Sequence, residues 1–466
     1  MSQSKKTNSN NKGSVLTRIG VRFTGFSQKY MPEPIVFAVT LTFVAFILAM
    51  LITRLTPFQV LDKWYQGLWE LLTFGMQMAV GIIAGTVLAD SYFLKKGITA
   101  LAEKPKNGPQ AAFCVALFTV LLSFVHFGLS LVGGALLAKS IAKNLRKKGV
   151  PFEYGLLAAC GYLGQMTWAA GLSSSIGLLI ATPGHFLESE MGVIPMNNYV
   201  FNGMNLFVMA AHTVLLPTIA YLLHPKGSNV NSIPEYALKV FEDEPLPEKN
   251  KSAKESVSFI QSLSSNRIIT AAIGCLGLFY VVYAFATQGF SAFDMNLLNT
   301  IMLFSGILLQ GTLANYVAAF SKATSSASGI IFQFPIYAGI MGIIKYSGLG
   351  ALLATAIASV SNSFTIYLWT FLTAALVNLF VPSGGGQWAI QGAVAIESSK
   401  LVGGNLLRSA QSVAYGGAWA NMCQPFWALA LLGITGLKAK DILGYSTTMM
   451  LAAGLLLIPT LLLFPL

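Results

Sequence analysis

"VPSGGGQWAIQGA", residues 381–393, places a proline, three consecutive glycines and two glutamines inside one of the most apolar stretches of the chain. In hydrocarbon every backbone N–H and C=O needs an internal partner. Irregular backbone at that depth is tolerated only where it packs in protein or faces a cavity. The motif therefore predicts a re-entrant hairpin over about 364–399 with the glycines at its tip.

Composition agrees as the reading moves outward. The chain has 466 residues, 55% apolar and 10% charged, against about 25% charged for an ordinary soluble domain. Apolar runs of roughly 20 residues, enough for a bilayer core of about 30 Å, recur from end to end. The expected fold is an all-α polytopic membrane protein. The formal charge of +12 does not indicate nucleic acid, because Lys and Arg gather in short loops beside apolar spans, as in cytoplasmic loops. Cys114, Cys160, Cys275 and Cys423 lie in apolar segments without metal-ligand spacing, so neither a metal nor another cofactor is expected.

Charge also sets the topology. Residues 1–32 carry a basic segment without the pattern of a cleavable signal and are expected in the cytoplasm, against the membrane. Spans follow at about 33–53 and 67–89. The next apolar block, 110–138, has Lys95, Lys96, Lys104 and Lys106 before it and Lys139, Lys143, Arg146, Lys147 and Lys148 after it. It should enter and leave on one face. Its halves offer some 14 residues each, roughly 20 Å of helix, too short to cross. A second re-entrant hairpin is expected, with "HFGLS" (126–130) at its tip.

The remaining segments complete a repeating order. A span at 155–182 is broken by "AAGLSSSIG" (169–177), and a span at 199–223 leads to a flexible cytoplasmic linker, 224–267. A connecting transmembrane helix within 268–296 follows, then spans at 297–317 and 328–344, a short segment at 348–362, and the hairpin first described. A second broken span, 405–435, contains "GGAWANMCQP" (416–425), and the last span is 446–466. Residues 33–223 and 297–466 thus form two repeats, the second inverted by the connecting helix. Inverted repeats whose broken helices meet near the midplane mark secondary transporters.

At tips and breaks, backbone groups lose their helical partners, and helix N-termini suit anions. Glycine lets backbone approach a ligand and adopt positive φ, which is the expectation for Gly384, Gly385 and Gly386. A bulky residue at Gly385 should obstruct the site. Candidate ligands from the first hairpin and first break are His126, Gly128, Ser130, Gly171, Ser173, Ser174 and Ser175. From the second hairpin and second break they are Ser383, the three glycines, Gln387, Trp388, Trp419, Asn421 and Gln424. Trp168, Trp388, Trp419 and Trp427 cluster near the breaks and suit either an apolar pocket for a short acyl chain or an interfacial anchor. His126 reads either as a proton relay or as a neutral residue closing its hairpin. Charged residues fall toward span ends, as at Asp90, Lys139, Lys345 and Glu397, which disfavours a pump built on a buried carboxylate.

"FVPSGGGQWAIQG" (380–392), "AWANMCQPFWAL" (418–429) and "YMPEPIVFAVTLTF" (30–43) resemble the bacterial short-chain fatty acid transporters, over nearly the whole chain. The resemblance implies uptake of small monocarboxylates such as acetoacetate or butyrate across the inner membrane. It also implies kinship with the ion transporter superfamily, typically elevator-type homodimers. Some positions differ from that family's pattern: His126-Phe127 stands where Asn-Trp is common, and "WAAGLSSS" (168–175) and "GGAWAN" (416–421) lack polar groups seen there. The expected function is a secondary transporter or symporter, with sodium or a proton as coupling ion and lipid as its surroundings. Alternatives are a carrier of a dicarboxylate or amino acid, or an anion channel. No nucleophile–base pair or metal cluster in the spans suggests an enzyme.

Overall fold

The computed structural model describes residues 34–225, 233–242, 263–424 and 426–465. The basic segment 1–32 and most of the acidic and basic centre of the linker lie outside the described residues. Among the described residues all regular structure is helical.

Among the described residues, nine helices of seven or more residues come before the linker. They are α1 (Pro34–Thr53), α2 (Pro57–Leu68), α3 (Leu72–Ala89), α4 (Tyr92–Ala102), α5 (Gly108–Val125), α6 (Phe127–Lys147), α7 (Tyr154–Tyr162), α8 (Ser175–Ala181) and α9 (Gly203–Leu223). A connecting helix, α10 (Arg267–Gln288), follows. Nine more complete the chain: α11 (Met295–Gln310), α12 (Leu313–Ala323), α13 (Ser328–Tyr346), α14 (Leu349–Ser359), α15 (Ile366–Asn378), α16 (Gly384–Leu401), α17 (Leu406–Ala420), α18 (Ala428–Thr435) and α19 (Ala439–Leu463).

The order recurs element by element, and so does the packing. Helix α3 packs on α11 as α13 packs on α1, and α6 packs on α3, α4 and α7 as α16 packs on α13, α14 and α17. Several helices, among them α9, α10 and α19, are long and apolar enough to cross a membrane. Their outer faces carry exposed Val214, Phe279 and Leu455, as lipid-facing surfaces do.

Local chemistry explains where the helices begin and end. Helix α2 starts at a capping box in which the Thr56 hydroxyl accepts from the Gln59 N–H and the Gln59 side chain accepts from the Thr56 N–H. The span expected at 67–89 is thus the single helix α3, with an amphipathic α2 before it. The span expected at 297–317 is two helices, because Gly311 adopts φ 75° and Thr312 caps α12. Amphipathic α4 and the mostly apolar α14, which is the segment expected at 348–362, precede the two hairpins. Helices α2, α4 and α12 were not separated by an apolar count, since they expose apolar residues such as Phe58, Phe93 and Val317.

The first hairpin's arms are longer than its apolar block suggested: α5 has 18 residues and α6 has 21, with Lys139 buried within α6 rather than at its end. Arms too short to cross were expected, but these reach roughly 27 and 31 Å, and α5 is long and apolar enough to span a membrane. A long aliphatic stem lets a lysine remain helical while its ammonium finds polar company. Asp90 and Lys345 do lie at helix ends, paired with Lys95 at 2.6 Å and Glu70 at 3.7 Å. The linker is not structureless throughout. Residues Glu235–Glu242 form a helix whose Ala237 is buried and whose Phe241 meets the Tyr154 ring at 5.6 Å.

Candidate functional site

The two hairpins turn differently. In the first, His126 alone is extended between α5 and α6. Its Nδ1 accepts from the N–H groups of Gly128 (3.2 Å) and Leu129 (3.5 Å), so the imidazole caps its own helix. The Phe127 N–H donates to Ser173 Oγ at 2.9 Å. Ser130 Oγ donates to the Thr119 carbonyl at 2.8 Å, tying the two arms. His126 therefore takes the closing role rather than standing open as a relay.

The second hairpin turns through 379–383, and Ser383 Oγ accepts from the Gly386 N–H at 3.3 Å to start α16. The three glycines form the first turn of α16 with ordinary helical φ, not positive φ. Their role is close approach. A Cβ on Gly384 would sit 2.6 Å from Ser175 Oγ and 3.0 Å from the Trp168 ring. One on Gly385 would sit 2.5 Å from the Phe74 ring, and one on Gly386 2.5 Å from the Tyr337 ring. Four aromatic or polar neighbours are thus pressed against bare backbone. The glycine at the cleft is Gly384; Gly385 faces Phe74 of α3, so a bulky residue there would disturb packing rather than fill a site.

The breaks supply the other walls. After α7 the chain continues through a helical turn at Gly164–Thr167 and a 3₁₀ turn at Trp168–Ala170. Gly171 permits contact with the backbone of Phe124, and the Leu172 N–H donates to the Phe124 carbonyl at 2.7 Å. Ser174 caps α8 and donates to the Tyr199 hydroxyl at 2.9 Å. The second break falls after Ala420, within the expected 416–425, at a 3₁₀ turn Asn421–Cys423.

A narrow cleft of about 10 Å³, room for about one water molecule, lies where these parts meet. Trp168, Ser174 and Ser175 come from the first break, Gly384 and Gln387 from the second hairpin, and Asn421 from the second break. Asn378, Ile176, Ala414, Gly417 and Ala418 complete its lining with Ala169. Ala414, Gly417, Ala418 and Asn421 share one face of α17 and its end, following the i, i+3, i+4, i+7 spacing of a helix. Among the described residues, no charged side chain lines the cleft. Two of its polar groups, Ser175 Oγ and Trp168 Nε1, are buried and have no hydrogen-bond partner among the described residues.

Carboxamides border the same space. Gln387 Nε2 donates to the Ala374 carbonyl at 2.7 Å. Asn421 Nδ2 donates to the Gln165 carbonyl at 2.9 Å, and Gln424 Nε2 donates to Asn378 Oδ1 and Asn421 Oδ1 at 3.3 and 3.2 Å. These bonds orient the amides. The N-termini of α8 and α16 meet the cleft with partial positive charge, while the ends of α15 and α17 bring carbonyls.

Six sequence-derived candidates therefore converge, counting Trp168 from the tryptophan group. His126, Gly128 and Ser130 belong to the first hairpin's internal bonds, and Ser173 and Gly171 join the first break to that hairpin. Ser383 and Gln424 stand just behind the lining as cap and amide partner. Trp388 is buried inside α16, and Trp419 Nε1 donates to the Met450 carbonyl at 2.6 Å. Trp427 meets Phe127 at 6.4 Å, outside the lining. Asn378 was missed, although an asparagine in the apolar run before the tip was a visible signal. Ala414 and Ala418 gave none, because alanine in a span is ordinary helix packing.

Fold and cleft together define a polytopic helical membrane protein with a small, uncharged, polar-lined site inside it. The model of the family described as "Short chain fatty acid transporter" matches residues 15–464, and the chain belongs to that family. Two relatives carry the printed name "Putative short-chain fatty acid transporter". One, from Escherichia coli (strain K12), is 38% identical over 452 residues, 97% of this chain and 100% of the relative. The other, from Haemophilus influenzae (strain ATCC 51907 / DSM 11121 / KW20 / Rd), is 37% identical over 441 residues, 93% of this chain and 96% of the relative. The solved structure of the Alcanivorax borkumensis YdaH transporter is similar with a TM-score of 0.48 at 15% identity, covering 91% of this chain and 98% of that one.

Proposed function

We propose that the protein is a secondary transporter that carries a small monocarboxylate, such as acetoacetate or butyrate, across the inner membrane by alternating access. The observation that carries this reading is the pair of buried donors without a partner among the described residues, Ser175 Oγ and Trp168 Nε1, on two residues that line a cleft beside the N-terminus of α16. A carboxylate satisfies both donors and the helix dipole at once. A dicarboxylate would bring a second charge to a lining without a cation, at a large desolvation cost.

The reciprocal packing of α1–α9 and α11–α19 supports two inverted repeats. The hairpins and broken helices are the moving unit of an elevator, and α1–α3 with α11–α13 are its frame. Carbonyls at the ends of α15 and α17 suit a sodium ion moving with the substrate, and the frame's apolar faces suit a homodimer in lipid. The basic loops support a cytoplasmic N-terminus.

Uptake of labelled acetate, butyrate and acetoacetate into proteoliposomes, with sodium and proton gradients varied separately, tests this. Accumulation of at least one acid that depends on one gradient is expected. No uptake or exchange of any of them would sink the assignment.

A further inference from the structure

We propose that Ala414, Ala418 and Ile176, set beside an immobilised Trp168, act as a gauge of acyl-chain length. This deepens the carboxylate reading above and rests on it. The polar groups of the cleft, Ser175 Oγ and Trp168 Nε1 among them, suffice to hold one carboxylate and leave the rest of the wall apolar. That wall is built from small side chains: Ala414 and Ala418 lie one helical turn apart on α17, and both are buried.

The indole cannot move aside to make room. Phe127 packs on it with ring centroids 5.3 Å apart, and Trp427 in turn meets Phe127 at 6.4 Å. Gly384 approaches its outer edge, where even a Cβ would be 3.0 Å away. A wall held on two sides discriminates by size, because interiors this tightly packed respond to a single methylene. In apolar pockets one methylene is worth roughly tenfold or more in selection. Acids up to the length that the alanines allow are accepted, and longer ones are refused.

The test is competition by unlabelled acetate, butyrate and hexanoate against labelled butyrate in proteoliposomes of the full chain. Ala418→Val should weaken butyrate relative to acetate about tenfold, with acetate little changed. Ala414→Val is the second narrowing variant, and Ile176→Ala, which removes bulk, should move selection toward hexanoate. Opposite shifts in the narrowing and widening variants support the gauge. An equal change for all three acids, or no change in their ratios, overturns it. Failure of the wild-type protein to take up any acid would instead remove the carboxylate reading, and the gauge with it.

Discussion

The two hairpins stand at corresponding places in the element order and use their tips in opposite ways. The first spends its polar groups on itself: His126 caps α6, Ser173 takes the Phe127 N–H, and Ser130 ties one arm to the other. The second leaves room. Its Ser383 caps α16, but Gly384 and Gln387 line a cleft beside two residues whose donors have no partner among the described residues. Equivalent elements thus diverge in function when one tip is closed by side chains and the other by bare backbone.

The largest expected effect comes from filling the open tip. Gly384→Val would drive its side chain into Ser175 and Trp168. Butyrate uptake should fall below detection while the detergent-solubilised protein keeps a single monodisperse peak. Uptake near that of the wild type would take the second tip out of the site. Next is Ser175→Ala, which removes a donor to the carboxylate. A hydrogen bond to a charged group contributes about 1.5–3 kcal/mol, so KM for butyrate should rise at least about tenfold with expression unchanged.

The closed tip should respond through stability instead. His126→Ala deletes a helix cap worth about 1 kcal/mol. A lower melting temperature with an unaltered KM is the expected pair of results. His126→Asn restores an acceptor suited to an N-cap and should recover most of that loss. A raised KM in both variants would give the first hairpin a ligand role after all. Smallest is Ser130→Ala, which removes one bond to the Thr119 carbonyl and should lower stability by about 1 kcal/mol, with transport intact.

Much of this architecture was legible because membranes punish irregular backbone. The glycines at 384–386 and the serines at 173–175 were conspicuous against apolar sequence, and both mark real helix starts. Their purpose was less legible. Positive φ was a fair expectation for three glycines, but close approach to Phe74, Tyr337 and Trp168 depends on helices distant in sequence. The same limit hid the split between Ser173, which caps a neighbouring helix, and Ser175, which lines the cleft with no hydrogen-bond partner among the described residues. The alanines of α17 were invisible for a simpler reason: they act through the space they leave, which no residue type announces.

The most direct test of the central claim pairs the two tips in one measurement, the KM for labelled butyrate in proteoliposomes containing Ser175→Ala or His126→Asn. The account predicts a rise of at least about tenfold for the first and a value equal to wild type for the second. An unchanged KM for Ser175→Ala beside a raised one for His126→Asn would contradict it.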